Sequence, residues 1–183
     1  PAMIAAARAA VPGVTFVQAD VVQWRPQPTV DLVFSNALFQ WVPNHGAVLV
    51  RILAALQAGA RLAVQMPDNL AEPSHRLMPE TLHHMGLKTE SDQAVASRSS
   101  LLDVTGYHVL LQPLAAELRI WRTTYYHPLA GHQGIVDMLS STGLRPFVDR
   151  VSELRQAEFL ALYRAGLERA YPVAADGRVL FPF

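Results

Sequence analysis

Two short apolar runs, "DLVFSN" (Asp31 to Asn36) and "RLAVQMP" (Arg61 to Pro67), flank a segment with helical apolar spacing. In that segment Val48, Ile52 and Leu56 form one row, and Leu49, Leu53 and Leu56 a second. A strand, a helix and a second strand in this order make a βαβ unit, and a helical connection of that length pairs its strands in parallel. Leu32 to Phe34 is apolar on consecutive positions, the pattern of a strand covered on both sheet faces. Gly59 is expected to cap the intervening helix. This unit predicts an α/β fold.

The remaining elements fit around it. Ala2 to Ala10 is alanine-rich and helical by propensity, stopped by Pro12-Gly13, and Val14 to Ala19 reads as a short buried strand ending at Asp20. Residues 67–100 hold several breakers and the polar stretch "KTESDQAVASRSS", expected to be mobile or inserted, with helix near His75 to Met85. A further helix is expected over Gly106 to Gln112. Glu117 to Tyr126 reads as a strand from its β-branched and aromatic residues. Helices are then predicted over His132 to Thr142 and from a Ser152 N-cap to Tyr171, with Leu154, Phe159, Leu162 and Tyr163 at packing spacing, and a last strand over Gly177 to Phe183. The whole, 1–183, is expected to be a single partial domain with a mobile or helical insertion at about 67–115.

Composition excludes several function classes. The 183 residues are 51% hydrophobic, enough for a real core, and Lys+Arg and Asp+Glu both number 15, so no net field draws nucleic acid or an anionic membrane. With no cysteine there is no disulfide framework, thiolate metal site or cysteine nucleophile, which fits a cytoplasmic protein. Seven histidines show no metal-ligand spacing, and the neighbours His83 and His84 point to different sides of a helix, so no metal is expected.

Open α/β sheets bind ligands outside the carboxyl ends of their strands. That directs attention to Asp20, to Ser35-Asn36 and to Gln65-Met66. Asp20 suits a hydrogen bond from an exocyclic amine, and Asn36 suits a side-chain or backbone contact. Each is also a common turn residue.

The segments "SNALFQWVPNH", "AVQMPDN", "EPSH", "IWRTTYYH" and "STGLRPF", in this order across nearly the whole chain, resemble the trans-aconitate 2-methyltransferases, class I S-adenosylmethionine-dependent enzymes. The resemblance implies a Rossmann-like α/β sheet with helices on both faces. It places the family's glycine-rich loop and its ribose-binding acid upstream of Pro1, with the first two strands, and the end of the sheet beyond Phe183. It implies that Asp20 and Val21 lie at the adenine of S-adenosyl-L-methionine and that Asn36 and Ala37 lie along its methionine part. Gln40 and Trp41 would sit near the methyl-transfer zone. A chain with strand 14–19 and the apolar edge of "DLVF" left without partners is expected to be poorly stable and a weak binder of S-adenosylhomocysteine by itself.

Carboxylate methylation needs no general base, because the nucleophile is already ionised at neutral pH. The side chains it requires are anion clamps and aromatic walls. Arg122 is the leading clamp candidate, against a structural ion pair with a nearby acid, and Tyr125, Tyr126 and His127 could add donors. Arg76 and Arg145 are given no role. The expected partner is a small carboxylic acid, with no nucleic acid and no membrane. Two alternatives remain at this point: a methyltransferase acting on an acyl-carrier-bound carboxylate, and a noncatalytic product.

Overall fold

The computed structural model describes residues 2–97 and 101–183, so the end of the polar stretch, Arg98 to Ser100, lies outside the described residues, as does Pro1. In chain order the elements are α1 (Ala2–Ala10), β1 (Leu32–Asn36), a 3₁₀ turn (Phe39–Trp41), α2 (His45–Ala55) and β2 (Arg61–Gln65). They continue with α3 (Pro73–His84), α4 (Lys88–Ala96), α5 (Val104–Leu111), a second 3₁₀ turn (Gln112–Leu114) and β3 (Tyr126–Leu129). The chain closes with α6 (Gly131–Ser140), α7 (Arg145–Val148), α8 (Glu153–Ala170) and β4 (Val179–Pro182). Two compact units result: residues 1–65 with 102–119, and residues 66–101 with 120–183.

The first unit contains the βαβ motif. β1 and β2 pair in parallel, from Leu32 opposite Arg61 to Asn36 opposite Gln65. α2 buries Val48, Leu49 and Ile52 along the predicted rows, and Phe39 and Val42 of the preceding turn join them. Gly59 is not the helix cap. The helix ends at Ala55, and Gly59, at φ +90°, sits at the third position of the turn in which the Ala60 N–H donates to the Gln57 carbonyl at 3.0 Å. Within β1, Val33 and Ser35 turn inward while Leu32, Phe34 and Asn36 are exposed, so in this chain the apolar run is covered on one face.

The strand predicted over Val14 to Ala19 does not form. The segment pairs with no strand among the described residues, and Val14 and Val17 are exposed. A strand is made by the groups alongside it, and β-propensity cannot supply them. The Arg8 guanidinium reaches in, donating to the Phe16 carbonyl at 2.8 Å.

The second unit carries the larger core. α8 buries Phe159, Tyr163 and Leu167, and Gly166 lets α3 approach: a Cβ there would lie 2.8 Å from Leu77 Cδ2. The Phe159 and Tyr163 rings stack 6.2 Å apart. The Tyr163 hydroxyl donates to the Ser74 carbonyl (2.8 Å), and the Ser74 N–H donates to the Tyr171 hydroxyl (3.0 Å). These bonds hold the start of α3, where Pro73 costs nothing because its missing N–H would have had no helical partner.

Part of the polar stretch forms helix α4, which runs to Ala96 with Ser91 and Ala94 buried. Two expectations need correction. The strand expected over Glu117 to Tyr126 begins only at its end. Tyr125 exchanges 2.7 Å backbone bonds with Phe183, and β3 pairs antiparallel with β4, while 117–124 finds no ladder. Ser152 sits at the N-cap of α8 without a side-chain capping bond, and Leu154, placed in the packing row, is 97% exposed.

Candidate functional site

In the first unit the site builds from the end of β1. The strand pairs with Gln65 at Asn36, and the next residue, Ala37, turns out of the sheet at φ +51°. An alanine in the left-handed region costs about 1–2 kcal/mol. Both of its backbone groups are held: its N–H donates to the Gln65 carbonyl at 2.9 Å, and its carbonyl accepts from Gln40 Nε2 at 2.8 Å. Such strain persists where the surroundings over-determine it, and it concentrates at ligand sites. Among the described residues, Asn44 is the other non-glycine with positive φ, also +51°. The two strained residues bracket the turn that carries Gln40 and Trp41.

This turn leaves polar atoms waiting. Ser35 Oγ and Gln40 Oε1 are buried with no hydrogen-bond partner. A buried orphan of this kind costs about 1–3 kcal/mol, and a bound ligand is one way to recover it. The Trp41 side chain of the same turn is 60% exposed and free to wall a ligand. Asn36, Ala37, Gln40 and Trp41 are thus brought together by one strand end and one turn.

Asp20 and Val21 lie in a separate turn. The Asp20 carboxylate accepts the Val22 N–H at 2.9 Å, and its carbonyl accepts from Gln23 and Trp24, the geometry of a side-chain-stabilised turn. Arg51 of α2 fixes this turn by donating to the carbonyls of Val21 (2.9 Å) and Trp24 (2.8 Å). The Val21 carbonyl is therefore already engaged. Sequence reading missed Arg51, whose place on the polar side of α2 carried no signal of its target.

In the second unit Arg122 Nη2 stands 2.5 Å from Asp68 Oδ2. The acid belongs to "VQMPDN" and the arginine to "IWRTTYYH". Tyr125 and Tyr126 are exposed, and the His127 ring meets Phe183 edge-on at 5.9 Å. Arg76 and Arg145 stand apart from this group. Arg76 lines a shallow cleft with Glu80 and Arg169, and Arg145 pairs with Asp149. Perturbed ionisation lies elsewhere, on α8: a hydrogen bond from Arg155 lowers the Glu158 carboxyl below the ordinary carboxylate range and raises the arginine. No group of three or more His, Asp or Glu that could hold a metal occurs among the described residues.

One feature of the first unit had no sequence signal. His45, buried at the start of α2, bonds the Tyr107 hydroxyl of α5 at 2.7 Å, and the residues are 62 positions apart.

Residues 1–64 match the family described as "Methyltransferase domain". Over all 183 residues the chain is 50% identical to the trans-aconitate 2-methyltransferase of Methylobacterium nodulans, covering 71% of that protein. It is 45% identical to the enzyme of the same name from Paracidovorax citrulli and 42% identical to that from Enterobacter sp. (strain 638), covering 71% and 70% of them. The chain belongs to the trans-aconitate 2-methyltransferase family.

Membership makes this an α/β methyltransferase, in agreement with the parallel β1–α2–β2 unit. Among the described residues no helix is long and apolar enough to cross a membrane.

Proposed function

We propose that the protein transfers the methyl group of S-adenosyl-L-methionine to a carboxylate of trans-aconitate or a similar small tricarboxylic acid, giving the monomethyl ester. The observation that carries this reading is the identity of up to 50% with trans-aconitate 2-methyltransferases along the entire chain. The strained, orphan-bearing turn after β1 supports it, because a parallel-sheet strand end is where such a fold binds its ligand.

The residues present fit the cofactor as a polar ligand with donors. Ser35 Oγ and Gln40 Oε1 offer acceptors with no protein partner. Asn36 and Ala37 would hold its methionine part, and Asp20 and Val21 its adenine. Asp20 keeps one carboxylate oxygen beyond the one spent on Val22. When bound, S-adenosyl-L-methionine supplies a methyl group activated by its sulfonium.

The chain's own contribution is positioning. The acceptor carboxylate is ionised at neutral pH, so no side chain has to remove a proton. Gln40 and Trp41 orient the acceptor and exclude water from the attacking oxygen, whose hydration would otherwise blunt it. Within the second unit, Arg122 with donors from Tyr125, Tyr126 and His127 is assigned the role of a carboxylate clamp. Asp68 holds the guanidinium in place, and a carboxylate ligand would share it or displace the acid.

The test is methyl-ester formation from labelled S-adenosyl-L-methionine with trans-aconitate and with an acyl-carrier-bound carboxylate as competing acceptors. Ester on trans-aconitate is expected. Ester on the carrier substrate alone would transfer the assignment to the other acceptor class.

A further inference from the structure

The turn between Ala37 and Asn44 is left-handed at both ends, and only one end is tied into the sheet. At the β1 end the Ala37 N–H bonds the Gln65 carbonyl. At the far end, directly after Asn44, the buried His45 ring bonds the Tyr107 hydroxyl at 2.7 Å, with ring centroids 5.9 Å apart. Gly46 brings this end of α2 close to α5: a Cβ there would lie 2.9 Å from Leu110 Cδ2. Between the two ties, the Trp41 N–H donates to the Leu38 carbonyl (3.0 Å) and the Val42 N–H to the Phe39 carbonyl (3.1 Å).

We propose that His45 and Tyr107 form a latch that keeps this strained turn in its ligand-ready shape, and so are positioning residues for methyl transfer. The proposal deepens the methyltransferase reading and rests on it. A backbone strained at Asn44 relaxes unless the residue beside it is held, and His45 is that residue. The long-range bond anchors it to a helix that shares no strand with the turn. Loosening the far end would disturb Gln40 and Trp41 before it reached Asn36 and Ala37, which the ladder holds. The latch therefore acts on the acceptor more than on the cofactor.

Tyr107→Phe removes the hydroxyl and keeps the ring. In the protein expressed from its full reading frame, two readings are taken: steady-state kinetics beside S-adenosylhomocysteine affinity, and amide hydrogen exchange resolved by residue. The acceptor KM is expected to rise about fivefold to tenfold, with the S-adenosylhomocysteine Kd within about twofold, as expected when the hydroxyl's tie to His45 is lost and the loss acts on one ligand. Exchange at Trp41 and Val42 is expected to quicken about tenfold, while the β1–β2 amides keep their rates. Asn44→Gly in the Tyr107→Phe background should recover part of the acceptor KM, because glycine adopts the left-handed conformation freely. Unchanged exchange at Trp41 and Val42 would overturn the latch, and so would equal quickening throughout the unit. A wild-type protein that esterifies no acid would refute the methyltransferase assignment instead, and the exchange data would still decide whether the pair holds the turn.

Discussion

Arg122 is ion-paired with Asp68 at 2.5 Å, across 54 residues of sequence, with both side chains still largely in solvent. An exposed pair of this kind adds about 0–1 kcal/mol to stability. Stability is thus little of what the pair can supply, and under the proposed function the open guanidinium takes a second carboxylate. Arg122→Lys keeps the charge and loses the planar fork. It is expected to raise the acceptor KM by roughly tenfold, the equivalent of one charge-assisted bond of about 1.5 kcal/mol. S-adenosylhomocysteine affinity should stay put. Unchanged acceptor kinetics would leave Arg122 as a surface ion pair alone.

The left-handed Ala37 makes a prediction about backbone strain. Ala37→Gly should be neutral or stabilise the protein by up to about 1 kcal/mol, the relief of strain partly offset by a looser unfolded chain. Ala37→Val places a β-branched residue at positive φ and should destabilise by about 1–3 kcal/mol. Urea denaturation of the two variants gives the comparison. Equal stabilities would mean that the turn does not hold its strained shape in solution.

Tyr163→Phe tests the buried bonds at the start of α3. The Ser74 carbonyl that accepts the Tyr163 hydroxyl belongs to a fully buried residue. Leaving it without that donor should cost about 1–3 kcal/mol, read as a lower midpoint in the same denaturation. A loss no greater than that of an exposed Tyr125→Phe control would show that the carbonyl is satisfied in another way.

Acid stability has a definite sign. The folded-state pKa of Glu158 is lowered, first by its hydrogen bond from Arg155. Its contribution is therefore complete above the ordinary glutamate range and is lost as pH falls through the depressed folded value. The raised Arg155 adds nothing across the working range, since arginine is charged throughout. Glu158→Gln should lower stability slightly at neutral pH and less in acid, where the wild-type contribution is already lost, so that a small part of the acid limb flattens. A variant that loses as much stability at neutral pH as in acid would show that packing, not charge, is what Glu158 supplies.

How legible the molecule was depended on whether a signal was local or paired. The βαβ unit could be read because α2 carries its spacing in its own residues, and Val48, Leu49 and Ile52 are buried as that spacing required. The segments 14–19 and 117–124 read as strands from the same kind of composition, yet a ladder depends on a neighbour, and none among the described residues supplies it. The strand end at Ser35-Asn36 was legible as the end of β1. The left-handed Ala37 and Asn44 were not, because neither residue type announces a positive φ as glycine does. His45 and Tyr107 were invisible for the same reason as Arg122 with Asp68: each pair is made by the fold from residues more than 50 positions apart. The ion pair with an acid was foreseen for Arg122 as a type, without its partner.

The most direct test of the account is transfer of labelled methyl from S-adenosyl-L-methionine to trans-aconitate by the protein expressed from its full reading frame. A labelled, base-labile monomethyl ester is predicted, abolished when the acid is omitted. Label retained wholly in the cofactor, by a folded protein that binds S-adenosylhomocysteine, would contradict the proposed acceptor.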